Sequence, residues 1–131
     1  MEIKELMENY KIVDGAFDDL SVFDFKGVYI IYDKSNVVLY VGSCYTRNIS
    51  ERLGQYLELN DTGNTLMHAI CKVDYNVQKV NDITGKQKQD AIDKIKEFKI
   101  KAIKYKDLEY QLINEAKPKY NKVGKKSANV E

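Results

Sequence analysis

Short apolar runs separated by polar punctuation set the pattern of the chain, and two periods alternate along it. Residues 2–11 place Ile3, Leu6, Met7 and Tyr10 at helical spacing, predicting a short helix, and the acidic stretch that follows to Lys26 reads as irregular. Val28 to Tyr32 and Val37 to Val41 are rich in β-branched and aromatic residues, and Asp33-Lys34-Ser35-Asn36 between them favours a turn. The pair predicts a β-hairpin whose second strand ends at Gly42. Asn48 or Ser50 can then cap a helix with Ile49, Leu53, Tyr56 and Leu57 on one face, stopping near Asn60-Asp61. Helices are expected over Thr65 to Lys72 and about Lys86 to Glu97, the second with Ile92, Ile95 and Phe98 as its apolar stripe. Val73 to Thr84 carries no readable period. Phe98 to Ala102 alternates apolar residues with lysine, as a strand does with one face on a core and one in water. Asp107 can cap a last helix through Ala116 that buries Leu108, Leu112 and Ile113, with Pro118 just past its end.

Composition narrows the class. With 131 residues, 44% apolar and 31% charged, the chain has the size and balance of one soluble domain. The expected organisation is an acidic N-terminal segment over 1–26, a motif core over 27–121 and a frayed basic tail over 122–131. No apolar run approaches the roughly 20 residues of a membrane helix, and the N-terminus is too acidic for a signal peptide. Cys44 and Cys71 form no CxxC pair. A disulfide framework and a zinc knuckle are therefore unsupported, and a cytoplasmic location is expected. The net charge is only +1, but it is unevenly spread: seven acids against two lysines over 1–24, and nine lysines against three acids over 98–126. The second region could follow a phosphate backbone or be a solvated lysine-rich face.

Most catalytic classes fail for want of residues. A serine or cysteine triad needs a histidine-like base, and the single histidine, His68, adjoins no nucleophile motif, so it reads as structural or exposed. What stands out is ten tyrosines, with Tyr29 and Tyr40 on paired strands beside Gly27 and Gly42. Glycine next to a strand often admits a ligand or a second backbone, whereas tyrosines in a strand often simply pack with the hydroxyl at the rim.

Gly27-Val28-Tyr29 and Tyr40-Val41-Gly42 resemble the two half-motifs of the GIY-YIG nucleases. Asn48 to Tyr56, with Arg52 one turn before Tyr56, is similar to the helix after the second half-motif. Leu108-Glu109-Tyr110-Gln111-Leu112-Ile113 followed by Lys117-Pro118-Lys119-Tyr120-Asn121 is similar to the family's metal-ligand helix and closing asparagine. The likeness runs from Gly27 to Asn121 with an insertion between Tyr56 and Phe98, and is nearest to the N-terminal nuclease domain of the UvrC-type excision-repair incision protein. It departs from that pattern in Ser43, where many members carry a lysine, and in a loop from Gly42 to Arg52 about two residues longer.

The resemblance implies an α+β fold, a small antiparallel sheet of about three strands flanked by helices, and a metal-dependent DNA endonuclease. Tyr29, Tyr40, Arg52, Tyr56 and Glu109 are then the catalytic set. Glu109 would hold one Mg²⁺ or Mn²⁺, Arg52 would bind a phosphate oxygen, and Tyr29 would act as general base once cations lower a phenol pKa that is ordinarily near 10. Tyr40 and Tyr56 would bond phosphate or water, and Gly27, Gly42 and Asn121 would support the site. Arg47, Lys99, Lys101, Lys104, Lys117 and Lys119 are the expected DNA contacts, with Arg47 or a lysine of the 98–106 strand replacing the missing family lysine. DNA is the expected partner, with no membrane and no small-molecule cofactor. A catalytically weak or inactive DNA-binding module, or a partner-binding protein on the same fold, stays open beside this reading.

Overall fold

The computed structural model describes residues 8, 10–59, 63–105 and 109–121. Four strands form one sheet: β1 (Val13–Ala16), β2 (Gly27–Tyr32), β3 (Val38–Cys44) and β4 (Lys99–Ile103). Their order is β1-β4-β2-β3, and all three pairings are antiparallel. The helices are α1 (Ile49–Gln55), α2 (Thr65–Asp74), α3 (Gly85–Ile95) and α4 (Glu109–Ala116).

This is an α+β fold with one strand more than the sequence predicts. The acidic stretch expected to be irregular contains β1, whose partners are the residues of β4. Only four residues long, it pairs on one side and holds no alternating apolar set of its own. Its pairing comes from β4 rather than from local preference. β3 also runs two residues past Gly42, because a glycine is tolerated within a strand where a neighbouring ring needs the space. α1 stops at Gln55, well before Asn60, and the unreadable stretch after Val73 contains a 3-10 turn, Val80–Asp82. The helix expected over 2–11, the Asp107 cap with Leu108, and the tail over 122–131 lie largely or wholly outside the described residues.

Register separates two apolar layers. Tyr29, Ile31, Ile100 and Ala102 face α1, α2 and α3 and join Leu53, Leu66, Met67, Ile70, Ile92 and Ile95 in the larger core. Val28, Ile30, Tyr32, Val41 and Ile103 face the other way, onto Leu112 and Ile113 of α4. All six residues of β2 are buried, as expected for a strand covered on both sides. A register shift between Ile31 and Tyr32 inserts Leu39 as an extra residue opposite β2 and turns it into the larger core.

β3 is an edge strand, yet its outer side is not bare. Tyr120 N donates to Leu39 O at 2.8 Å. The Asn121 side chain then accepts from Val41 N at 2.6 Å and donates to Val41 O at 2.9 Å. The segment after α4 thus satisfies backbone groups that an edge would leave to water.

Candidate active site

Tyr29 stands opposite Gly42 across the β2–β3 ladder, so both point to the larger core. A Cβ on Gly42 would lie 2.3 Å from the Tyr29 hydroxyl oxygen. Glycine is required here because the phenol lies flat across the edge strand. Gly27 answers a similar need, since a Cβ there would lie 2.0 Å from the Ile103 carbonyl oxygen.

Tyr29, Tyr40 and Tyr56 form a triangle of rings with centroids 6.0 to 6.5 Å apart. The Tyr29 and Tyr56 hydroxyls share a hydrogen bond of 2.5 Å. Arg52, one turn before Tyr56 on α1, donates from Nε to the Tyr56 hydroxyl at 3.1 Å. Its other nitrogens donate to Gln55 Oε1 at 2.7 Å, Gly63 O at 3.0 Å and Thr65 Oγ1 at 2.9 Å. Thr65 Oγ1 lies 3.4 Å from the Tyr40 hydroxyl. One guanidinium is therefore bonded to Tyr56 directly and to Tyr40 through Thr65, and the fork is fixed before any substrate arrives.

Burial pushes the Tyr29 hydroxyl well above the usual phenol range, and its neighbours Tyr56 and Tyr40 add to the effect; Arg52 opposes it only in part. Tyr56 is also raised by burial, but it receives the Arg52 bond and a bond with Tyr29 that favour its ionised form. Both phenols are therefore protonated near neutral pH.

Glu109 opens α4 and reaches the same edge strand from the other side of the sheet. Ser43 Oγ donates to Glu109 Oε1 at 2.7 Å. Gly42 and Ser43 are consecutive: one lies beneath the Tyr29 hydroxyl, the next holds the carboxylate. The serine that replaces the family's lysine therefore bonds the candidate metal ligand. Arg47 donates to Gln55 Oε1 at 2.7 Å, so two guanidinium groups converge on one amide oxygen. Both arginines and Glu109 exert their charge on the buried Cys44 thiol, which burial raises.

The expected lysines are scattered. Lys99 and Lys101 pair in register with Tyr32 and Ile30 and so project from the sheet face opposite the tyrosines, where they bond Asn36 and Asp14. Lys104 lies over the Phe25 ring at 5.4 Å. Lys119 pairs with Asp74 at 3.1 Å, and Lys117 is exposed just after α4 with φ 47°. Of the expected DNA contacts, only Arg47 is hydrogen-bonded to the Arg52 network.

Sequence reasoning missed Gln55, Asn64 and Thr65. Asn64 is fully buried. It accepts from Met67 N at 3.1 Å and donates to Tyr56 O and Glu58 O at 2.9 and 3.0 Å, tying the end of α1 to the start of α2. Its signature was present, an asparagine immediately before an apolar-periodic run.

A single carboxylate with a hydroxyl beside it suits a hard divalent cation that keeps most of its water or borrows phosphate oxygens. Among the described residues no three His, Cys, Asp or Glu side chains group as a metal site. No helix among them is long and apolar enough to cross a membrane. The family model of the GIY-YIG catalytic domain matches residues 25–121. No curated protein and no solved structure gives a match.

Proposed function

Because the chain belongs to the GIY-YIG catalytic domain family, whose members are nucleases and generally use a divalent metal, we propose that it is a metal-dependent DNA endonuclease with a single-metal site at the β3 edge. The observation that carries this is the adjacency of Gly42 and Ser43 on the edge strand β3: the Tyr29–Tyr56–Arg52 network lies at Gly42 on one face and the Glu109 carboxylate at Ser43 on the other, so both reach the same stretch of strand edge.

Arg52 and Arg47 supply the phosphate site. Gln55 gathers them with one neutral acceptor, and a phosphodiester, with one negative charge shared by two non-bridging oxygens, is a stronger acceptor that can take both guanidinium groups. Arg47 stands in for the absent lysine. Glu109, held by Ser43, would bind Mg²⁺ or Mn²⁺, which when present neutralises charge on the phosphate. Tyr40 and Tyr56 orient the phosphate or the attacking water, and Tyr29 takes the proton from that water, relayed through the hydroxyl hydrogen bond that it shares with Tyr56. Meanwhile the new P–O bond forms, the bond from phosphorus to the leaving sugar oxygen breaks, and that oxygen is protonated from solvent. The proton transfer to Tyr29 needs the incoming positive charge to offset burial, which makes proton removal the demanding part of the reaction. Gly27, Gly42 and Asn121 keep the strands in place, and one such site makes one nick. The likeness to the UvrC-type nuclease domain rests on Arg52, Tyr56 and the Lys117-Pro118-Lys119-Tyr120-Asn121 ending.

The test is conversion of supercoiled plasmid to nicked circle in Mg²⁺ or Mn²⁺. Wild type should nick; EDTA and Glu109→Ala should each abolish it. Cleavage by Glu109→Ala at the wild-type rate would overturn the mechanism, and retention of DNA by the wild type without nicks would favour a binding module.

A further inference from the structure

A slot of about 240 Å³ opens beside Tyr40, lined by Thr65, His68, Ala69, Lys72, Val80 and Tyr120. Five of these residues, Thr65 to Val80, come from the insertion between Tyr56 and Phe98, and His68, Ala69, Lys72 and Val80 have no part in the proposed chemistry. Thr65, His68 and Lys72 fall at i, i+3 and i+7 of α2 and so share one face of that helix. Thr65 is also the residue bonded to Arg52 and close to Tyr40. The slot is therefore continuous with the phosphate site. From Thr65 to Lys72 the helix rises about 10 Å, roughly three nucleotide steps along one strand of B-form DNA.

Its chemistry changes along that length. Near Tyr40 and Ala69 the walls are aromatic and apolar, and Lys72 adds a cation farther from Arg52. An apolar, ring-lined recess next to a guanidinium, with a second cation beyond it, fits one strand of nucleic acid: one base drawn out of the stack and its sugar in the recess, its phosphate toward Arg52 and a phosphate farther along the strand at Lys72. The volume lies below that of pockets that hold drug-sized ligands, which suits one nucleotide rather than a folded element of a partner. We infer that this slot is a subsite for the nucleotide flanking the scissile phosphate, with Lys72 on a more distant phosphate of the same strand. The substrate class rests on the endonuclease reading.

Two variants outside the proposed catalytic set test it. Val80, on the rim and 40% exposed, becomes tryptophan to fill the slot, and Lys72→Ala removes the cation. Thermal melts check that both fold. In steady-state nicking of plasmid, each should raise KM about 10-fold, the scale of one lost base-stacking contact, with kcat within about twofold. Affinity for a fluorescein-labelled 20-base-pair duplex is read in EDTA in the Glu109→Gln background, so that cutting does not compete with binding. There Lys72→Ala should flatten the dependence of log affinity on log salt by about 0.9, and Val80→Trp should weaken binding without changing that slope. Unchanged KM and unchanged affinity in both variants would overturn the subsite. A wild type that binds the duplex without nicking, with both variants binding worse, would remove the endonuclease reading and leave the subsite standing. No binding by any form would remove both.

Discussion

Tyr29 shows how a residue can be recognisable in sequence and still have its chemistry decided by packing. The motif identifies the phenol; the fold lays it across Gly42, closes it from water and gives it two more phenols as neighbours. A base must be ionised to act, and a raised pKa means that below it the ionised fraction grows tenfold with each unit of pH. Single-turnover cleavage at saturating metal should therefore rise with a slope near one in log rate against pH from about 7 to 10. Tyr29→Phe should lower the rate by about 10² to 10⁴-fold and abolish that slope. A flat wild-type profile would reject Tyr29 as the base. Ser43 makes the complementary point: its value lies in the 2.7 Å bond to Glu109, which no inspection of a tripeptide motif discloses.

Among the elements, the edge of β3 carries the heaviest demand, because one strand serves both halves of the site. Asn121 holds it with two hydrogen bonds to Val41, and the asparagine is 2% exposed. Asn121→Ala leaves a buried donor and acceptor unpaired and should cost about 1–3 kcal/mol each at most, read as a fall in the urea midpoint. Hydrogen exchange at the Val41 amide should accelerate more than at the Ile30 amide on central β2. The elements that sequence revealed are those with their own period: β2, the alternating Ile100 and Ala102 of β4, α2, and α3 with Ile92 and Ile95. β1 escaped because four residues with a half-buried glycine and an exposed aspartate have no period to detect. The tyrosines, Arg52 and Glu109 were legible as motifs. Gln55 and Thr65 were not, because each matters only through what the guanidinium reaches after α1 and α2 are docked.

Across the whole molecule, the charge asymmetry along the chain does not become the same asymmetry in space. β1 lies beside β4, so Asp14 from the acidic region neutralises Lys101 from the basic one at 2.5 Å. Asp74 likewise takes both Lys94 and Lys119, and against its partial burial the hydrogen bonds from the Tyr120 hydroxyl and these two lysines hold its carboxyl below the usual range. What remains concentrated at the tyrosine side is the Arg47–Arg52 pair. DNA held there should respond accordingly. Arg47→Ala should flatten the salt dependence of duplex binding by about 0.9 in log–log slope, whereas Lys99→Ala with Lys101→Ala, on β4 away from the β3 edge and already bonded to Asn36 and Asp14, should leave it unchanged. Equal effects from the two sets, measured by fluorescence anisotropy across a salt series, would show that β4 also meets DNA.

The strap that closes β3 also fixes when the site can exist. Glu109 and the residues that seal Leu39 and Val41 come after every other part of the machinery in chain order. On the proposed reading, a polypeptide that ends before residue 109 holds the tyrosines and arginines but lacks both the carboxylate and the seal. Such a truncated product would be disarmed by construction.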